Sequence, residues 1–171
     1  MNKLKKRFDN DVDWTEIYGD IDEDIPTNMP EPRGNGVQVS MFCDAAFAGD
    51  KITRRSHTGI IFLIQGAPII WYSKKQATVE ASTFGSEFVA LRVGCEMNDA
   101  LRYKLRMMGI PLLGATNGFC DNKGVVNNAT MAESTLKKKH LSVCYHKARE
   151  LAARGAIQFT YKKTESNLGD V

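Results

Sequence analysis

The sequence has few of the residues that hold small secreted domains together. Its four cysteines form no CxxC pair and lie in apolar neighbourhoods, so we interpret them as buried free thiols of a reducing compartment. Three histidines without ligand spacing argue against a zinc site. No apolar run approaches the ~18 residues of a membrane span, and the basic start MNKLKKRF is followed by acidic residues rather than by a signal sequence. We therefore expect an intracellular protein of the cytoplasm or nucleus, without a membrane partner.

Charge is unevenly distributed along the 171 residues. Residues 1–32 carry nine acids and four bases, whereas the remainder carries 19 Lys and Arg against 11 Asp and Glu, a net charge of +8. Such an excess suits a polyanionic partner. The hydrophobic fraction of 43% is ordinary for a globular protein, so the composition indicates one domain of normal size plus a tail.

The boundary between tail and domain is predicted near residue 36. Residues 1–36 contain three of the five prolines, the acidic run DIDED and the turn-rich RGNG, which is typical of a tail or linker. Residues 37–171 carry the regular hydrophobic patterns of a folded domain. Within the tail, Trp14 and Tyr18 are the side chains that we expect to dock on the domain.

The hydrophobic pattern predicts the element order β-β-β-α-β-α-α-β. Alternating or continuous apolar runs indicate strands, and apolar residues at spacings of three and four indicate helices. Gln65-Gly66 predicts a hairpin turn, and Gly109 and Gly155 predict helix ends. The predicted elements are strands at 37–44, 58–64 and 67–73, a helix at 82–108, a strand at 116–120, a short helix from 122, a helix at 136–154 and a strand at 156–161. We therefore expect an α/β fold with a mixed sheet.

Three acids stand where strands end or a helix begins. Asp44 ends the first predicted strand and Asp121 the fourth, both after Phe-Cys, and the ends of adjacent strands lie close together. Glu87 lies in the first turns of the long helix, at the border of its apolar stripe. Adjacent carboxylates repel each other unless a cation lies between them. Each acid alone also fits a turn, a helix cap or a helix-dipole partner, so the residues themselves leave both interpretations open.

These residues stand in blocks that resemble a known family. From about residue 37 onwards, the chain resembles the ribonuclease H domain of copia-type retrotransposon Pol polyproteins. The resemblance rests on five successive strings: DAAFAGDKITRRSHTGIIFLI, PIIWYSKKQATVEASTFGSEFVAL, FCDNKGVV, STLKKKHLSVCYHKARE and TESNLGD. The resemblance implies a ribonuclease H-like α/β fold, in which a five-stranded mixed sheet has helices on both faces.

The resemblance also implies an activity, the Mg²⁺-dependent hydrolysis of the RNA strand of RNA–DNA hybrids during retrotransposon reverse transcription. By motif match, both the catalytic and the metal-binding roles fall on Asp44, Glu87, Asp121 and Asp170. These acids would hold two Mg²⁺ ions, with Mn²⁺ as a substitute, and the products would carry a 3′-hydroxyl and a 5′-phosphate. The implied partners are the hybrid and an adjacent reverse transcriptase domain.

Candidate nucleic-acid contacts lie in the same blocks. Basic side chains are expected to contact phosphates, and the start of the long helix is expected to contact 2′-hydroxyls, although a run of charges is also an ordinary solvated surface. The candidates are Arg54, Arg55, Lys74, Lys75, Ser82, Thr83, Ser86, Asn122, Lys137, Lys138 and Lys139. For His140 and His146 we expect packing or capping roles.

The chain departs from the family pattern at several positions. Ala46, Gly85 and Ser142 stand where the family has acids, and the sequence ends one residue after Asp170, where the family's closing helix would begin. We therefore expect a domain truncated before its last helix, with Asp170 frayed. The main alternative is a catalytically silent or decayed ribonuclease H-like structural module of a retrotransposon polyprotein. An integrase or transposase, or a plain nucleic-acid-binding protein, would leave the best-matched blocks unexplained.

Overall fold

The computed structural model describes residues 14–170, and the account of the fold refers to this part of the chain. The elements are α1 (Thr15–Tyr18), β1 (Val39–Ala46), β2 (His57–Ile64), β3 (Ala67–Lys75), α2 (Thr83–Met107), β4 (Thr116–Cys120), α3 (Lys123–Thr130), α4 (Ser142–Ala153) and β5 (Ile157–Tyr161). No helix within these residues has both the length and the apolar character needed to cross a membrane.

The five strands form one mixed sheet in the order β3-β2-β1-β4-β5. The first three strands are antiparallel neighbours, and β4 pairs in parallel with both β1 and β5. Gln65 and Gly66, with φ of 51° and 83°, make the tight turn between β2 and β3, because a two-residue hairpin turn with positive φ matches the twist of the strands. The sheet confirms the predicted fold class and places β1 at its centre.

The hydrophobic core lies between one face of the sheet and helices α2, α3 and α4. Met41 and Cys43 of β1 point into it, together with Phe88 and Leu91 of α2. On the opposite face, Phe42 stacks on Phe119 at a centroid distance of 4.7 Å, and the Lys162 ammonium lies 4.8 Å from the Phe42 centroid. Within residues 14–170, helices α2, α3 and α4 thus pack on one face of the sheet, whereas the resemblance implied helices on both faces.

Strand β3 forms an edge of the sheet and is largely exposed. Trp71 is 78% exposed and Ile69 39%. Pro68 lies near the start of the strand, lysines end it at positions 74 and 75, and the pairing with β2 is irregular between Phe62 and Leu63.

The described part of the predicted tail packs against the helices. Glu23 forms ion pairs with Arg102 and Arg106 of α2. The Arg149 guanidinium of α4 lies between two aromatic rings, 4.8 Å from the Trp14 centroid and 4.6 Å from the Tyr145 centroid. Residues 14–36 therefore contribute contacts of their own to the folded domain.

The predicted start of the second long helix at residue 136 is wrong. Helix α4 begins at Ser142 after a single 3₁₀ turn, Lys139–Leu141. Lys138 has extended φ and ψ of −106° and 91°, and its ammonium bonds to Ser82 Oγ and lies 5.5 Å from the Phe84 centroid. These contacts between elements favour an extended backbone where the sequence pattern alone predicts another helical turn.

Candidate functional site

Parallel pairing of β1 with β4 brings two of the predicted acids to the same end of the sheet. Cys43 pairs with Cys120, so Asp44 and Asp121 follow at equivalent positions on neighbouring strands. Helix α2 packs across this sheet and contributes Glu87 from its second turn. Ligand atoms of Glu87, Cys120 and Asp121 all lie within 4.8 Å of one another, so helix α2 and the end of β4 meet here.

The fourth acid approaches from the segment after β5. The Asn167 amide donates to the Cys43 carbonyl oxygen at 2.9 Å and thereby ties this segment to β1. Gly169 packs so closely that a Cβ there would lie 3.1 Å from the Cys43 carbonyl carbon and 3.2 Å from the Asp44 nitrogen. This approach needs a residue without a side chain, and it brings Asp170 close enough for its charge to act on Asp44. The structure thus brings all four predicted acids together, with Asp170 exposed.

Burial and mutual repulsion shape the electrostatics of this cluster. Asp44 is 6% exposed and Glu87 3%. Burial, followed by the charge of Asp121, raises the pKa of Asp44. Burial, followed by repulsion from Cys120 and from the two aspartates, raises the pKa of Glu87 to about 10. Within residues 14–170, no basic side chain forms an ion pair with any of the four acids.

The oxygen atoms of the cluster fit a hard divalent cation. Glu87 Oε2 is buried and has no hydrogen-bond partner, although buried polar atoms are almost always paired. Asp44 Oδ1 accepts from the Ala45 amide at 2.8 Å, and Asp121 Oδ2 accepts from the Thr164 hydroxyl at 2.7 Å. Carboxylate oxygens without a cationic side chain are the ligands that Mg²⁺ and Mn²⁺ prefer.

The basic candidate contacts differ in how free their side chains are. Arg54, Arg55 and Lys74 are exposed. Lys75 forms an ion pair with Asp50, and Lys138 bonds to the hydroxyl of Ser82. Lys137 and Lys139 are exposed on either side of Lys138.

The polar candidates at the helix starts mostly have structural partners. The Ser82 hydroxyl caps α2 by accepting from the Gly85 amide at 3.2 Å, while Thr83 is exposed. Ser86 is buried, and its hydroxyl donates to the Thr83 carbonyl. Asn122 Oδ1 caps α3 by accepting from two backbone amides.

Sequence reasoning missed two side chains around the acids. Cys120 was expected to be only a buried thiol, but it faces Glu87; its position directly before Asp121 in an alternating strand was the available signal. Glu80 is buried beside Gly85, where an added Cβ would lie 2.7 Å from its Oε2. The same oxygen lies 3.4 Å from His140 Nε2, so one of the two histidines that we expected to pack or cap faces a buried carboxylate.

Comparisons with known proteins find similarity to transposon polyproteins. No protein-family model matches it. The chain is 28% identical over 138 residues to the retrovirus-related Pol polyprotein from transposon RE1 of Arabidopsis thaliana, covering 81% of this chain and 9% of the relative. It is 30% identical over 131 residues to that from transposon TNT 1-94 of Nicotiana tabacum, covering 76% of this chain and 10% of the relative. The chain thus spans about a tenth of the length of these relatives.

A solved structure supports the fold. The chain superposes on LC11-RNase H1 in complex with an RNA/DNA hybrid with a TM-score of 0.59 and 13% sequence identity. The match covers 77% of this chain and 89% of that one. At this level of identity the likeness concerns the arrangement of the sheet and helices.

Proposed function

We propose that this chain, which is related to the retrovirus-related Pol polyproteins of transposons and has the ribonuclease H fold, hydrolyses the RNA strand of RNA–DNA hybrids. The observation that carries the proposal is the convergence of four acids from distant parts of the chain around the buried, unpartnered Oε2 of Glu87. Such a cluster costs folding free energy because buried like charges repel each other. A requirement for cation binding explains why it is assembled.

Asp44, Glu87, Asp121 and Asp170 would together hold Mg²⁺, with Mn²⁺ as a substitute. Bound divalent cations would supply Lewis-acid stabilisation of the phosphoryl oxygens and a more acidic attacking water. Asp44 interacts with Asp121 and Asp170 from the centre of the sheet, so it is the residue best placed to join the ligands. Glu87 and Asp44 are held by buried backbone, whereas Asp121 is partly open to solvent, which leaves access for a phosphodiester.

Hybrid binding would use the basic surface next to the acids. Arg54, Arg55 and Lys74 have exposed side chains for phosphates. Lys138 joins the lysine run to Ser82, five residues before Glu87, so Lys137 and Lys139 project near the start of α2. The fold relative LC11-RNase H1 was solved with an RNA/DNA hybrid, and this supports the same substrate class here.

The wider setting is also part of the proposal. The Pol polyproteins related to this chain are about ten times longer, so an adjacent reverse transcriptase domain is the partner that we propose in an element of the copia type. An intracellular location agrees with four buried free cysteines.

A catalytically silent module is the second candidate. The observation that favours it is the exposure of Asp170, which contrasts with the burial of Asp44 and Glu87. A ligand that is not held firmly would lower the affinity for cations, so the two candidates differ in measurable activity.

Cleavage of a hybrid with labelled RNA by the 171-residue chain, with and without Mg²⁺, tests the proposal. We expect Asp44→Asn to reduce the rate by roughly 10³-fold, because it removes one of the charges that hold the cations. Asp99→Asn is the matched control, since Asp99 lies on α2 and pairs with Lys147 outside the cluster. Absence of Mg²⁺-dependent cleavage by the folded wild-type chain, or an Asp44→Asn rate equal to that of wild type, would contradict the proposal.

A further inference from the structure

Strand β4 places a sulfur atom at the base of the acid cluster. Cys120 is fully buried and directly precedes Asp121. Its Sγ lies within 4.8 Å of one carboxylate oxygen of Glu87 and one of Asp121. These two oxygens also lie within 4.8 Å of each other. The chain therefore contains a second group of ligand atoms that overlaps the all-oxygen group.

The all-oxygen set and the set that contains the Cys120 sulfur favour different cations. Mg²⁺ takes oxygen ligands and retains several waters, so a buried sulfur contributes nothing to its binding. Zn²⁺ and Cd²⁺ combine sulfur and oxygen ligands readily, and a zinc site with an open fourth position has three protein ligands. One thiolate and two carboxylates together carry three negative charges, one more than a divalent cation neutralises.

The orphaned oxygen of Glu87 is the independent sign that this position binds a ligand. Glu87 is 3% exposed, one of its carboxylate oxygens lies within 4.8 Å of the Cys120 sulfur and of an Asp121 oxygen, and its Oε2 has no hydrogen-bond partner. A cation between these three side chains would satisfy that oxygen. Cys43, the strand partner of Cys120, donates its thiol to the Phe119 carbonyl at 3.4 Å and so already has a partner of its own.

We propose that Glu87, Cys120 and Asp121 bind one thiophilic divalent cation, Zn²⁺ or Cd²⁺, through the sulfur of Cys120. On coordination, the thiol releases its proton to solvent and the sulfur lone pair binds the cation. The binding itself does not require the chain to be a nuclease. A consequence rests on the proposed function: because Glu87 and Asp121 belong to both ligand sets, the thiophilic cation would inhibit Mg²⁺-dependent cleavage.

Titration of the reduced, metal-free 171-residue chain with Cd²⁺ tests the proposal, because a cadmium–thiolate bond gives an ultraviolet charge-transfer band. We expect the band to saturate at one Cd²⁺ per chain and to vanish in Cys120→Ser. Cys144→Ser is the matched control, since Cys144 is also a buried free thiol but lies on α4. Absence of the band in wild type, its persistence in Cys120→Ser or its loss in Cys144→Ser would overturn the proposal.

A second variant keeps the test valid if Cys120→Ser does not fold. Glu87→Gln keeps the sulfur but removes a ligand charge, so the band should remain while the Cd²⁺ affinity falls by roughly 10-fold or more. Unchanged affinity would refute the shared site.

In folded wild type, excess Mg²⁺ should raise the Cd²⁺ concentration at half-saturation. If the band forms but Mg²⁺ supports no cleavage, only the proposed nuclease fails; if cleavage occurs without the band, only this inference fails.

Discussion

The half-buried Glu23 and the buried Glu87 have opposite surroundings. Glu23 accepts hydrogen bonds from Arg102 at 2.6 and 2.7 Å and from Arg106 at 2.8 and 2.7 Å. Glu87 has a buried oxygen with no partner and acids as neighbours. Although burial raises the pKa of Glu23, the hydrogen bonds and charges of Arg102 and Arg106 outweigh it and hold the pKa below 4.5. The pKa of Glu87 rises to about 10.

Glu23 is therefore a carboxylate that stabilises the fold, whereas Glu87 has no basic partner within residues 14–170. Arg102, 3% exposed, also donates to the Gly114 carbonyl at 2.8 Å, so the Glu23 ion pairs connect the N-terminal segment, α2 and the approach to β4. Around Glu87, no arginine or lysine of residues 14–170 plays the equivalent part. In this comparison, the unpaired acid is the one to which our proposal assigns cation binding.

The largest expected effect is on the activity of Glu87→Gln. We expect cleavage to fall by roughly 10³-fold, because the amide cannot replace the charge that holds the cations. The free energy of unfolding of the metal-free protein should change by no more than the ~1 kcal/mol of a typical point substitution, since a neutral side chain replaces an acid that is already protonated at neutral pH. Initial rates and urea unfolding measure the two quantities.

The control for this variant is Glu96→Gln. Glu96 lies on the same helix but is exposed and pairs with Arg92, so its loss should leave the cleavage rate unchanged. If Glu87→Gln instead unfolds the protein while retaining its specific activity, the assignment of Glu87 to cation binding is wrong and the contrast with Glu23 disappears.

The second effect is the loss of stability in Glu23→Gln. We expect the free energy of unfolding to fall by about 3 kcal/mol, because two largely buried guanidinium groups lose their counter-charge. Cleavage per folded molecule should not change. Urea unfolding at neutral pH measures the loss, and Glu16→Gln, an exposed acid of the same segment, should cost less than about 0.5 kcal/mol. A Glu23→Gln protein as stable as wild type would contradict a structural role.

The smallest effect concerns acid pH. Because the pKa of Glu23 is lowered by folding, its contribution is fully present above the unfolded value near 4.5 and is lost as the pH falls through the lower folded value. The difference in unfolding free energy between wild type and Glu23→Gln should therefore be constant from pH 7 to about 5 and shrink below that. Urea unfolding of both proteins at successive pH values measures this difference. A difference that grows on acidification would contradict a lowered pKa of Glu23 in the folded protein.

The sequence predicts the acid cluster better than the ion pairs of Glu23. Asp44 follows Cys43 within β1 and Asp121 follows its pairing partner Cys120 at the end of β4, so strand pairing alone brings the two acids together. Glu23 belongs to an acidic run that looks solvated, and its partner Arg102 lies 79 residues away on a helix face. No local pattern reports such a long-range pairing.

The inability of local patterns to report long-range contacts also explains two smaller differences between the sequence-based predictions and the structure. The helix predicted from residue 136 starts at Ser142 because Lys138 bonds to Ser82, 56 residues earlier in the chain. The thiol of Cys120 joins the cluster because the alternation of β4 directs it towards Glu87. Local spacing predicts elements and their order, whereas contacts between elements decide which side chains come together.

The exposed edge strand β3 has a consequence for the behaviour of the protein at high concentration. An open edge with Trp71 and Ile69 on its surface is a template to which a strand of another molecule can add, the first step of aggregation. Pro68 withholds one amide, the irregular pairing at Phe62 twists the edge, and repulsion between the terminal lysines of two copies opposes their approach. Solubility of this chain therefore depends on side chains that take no part in the acid cluster.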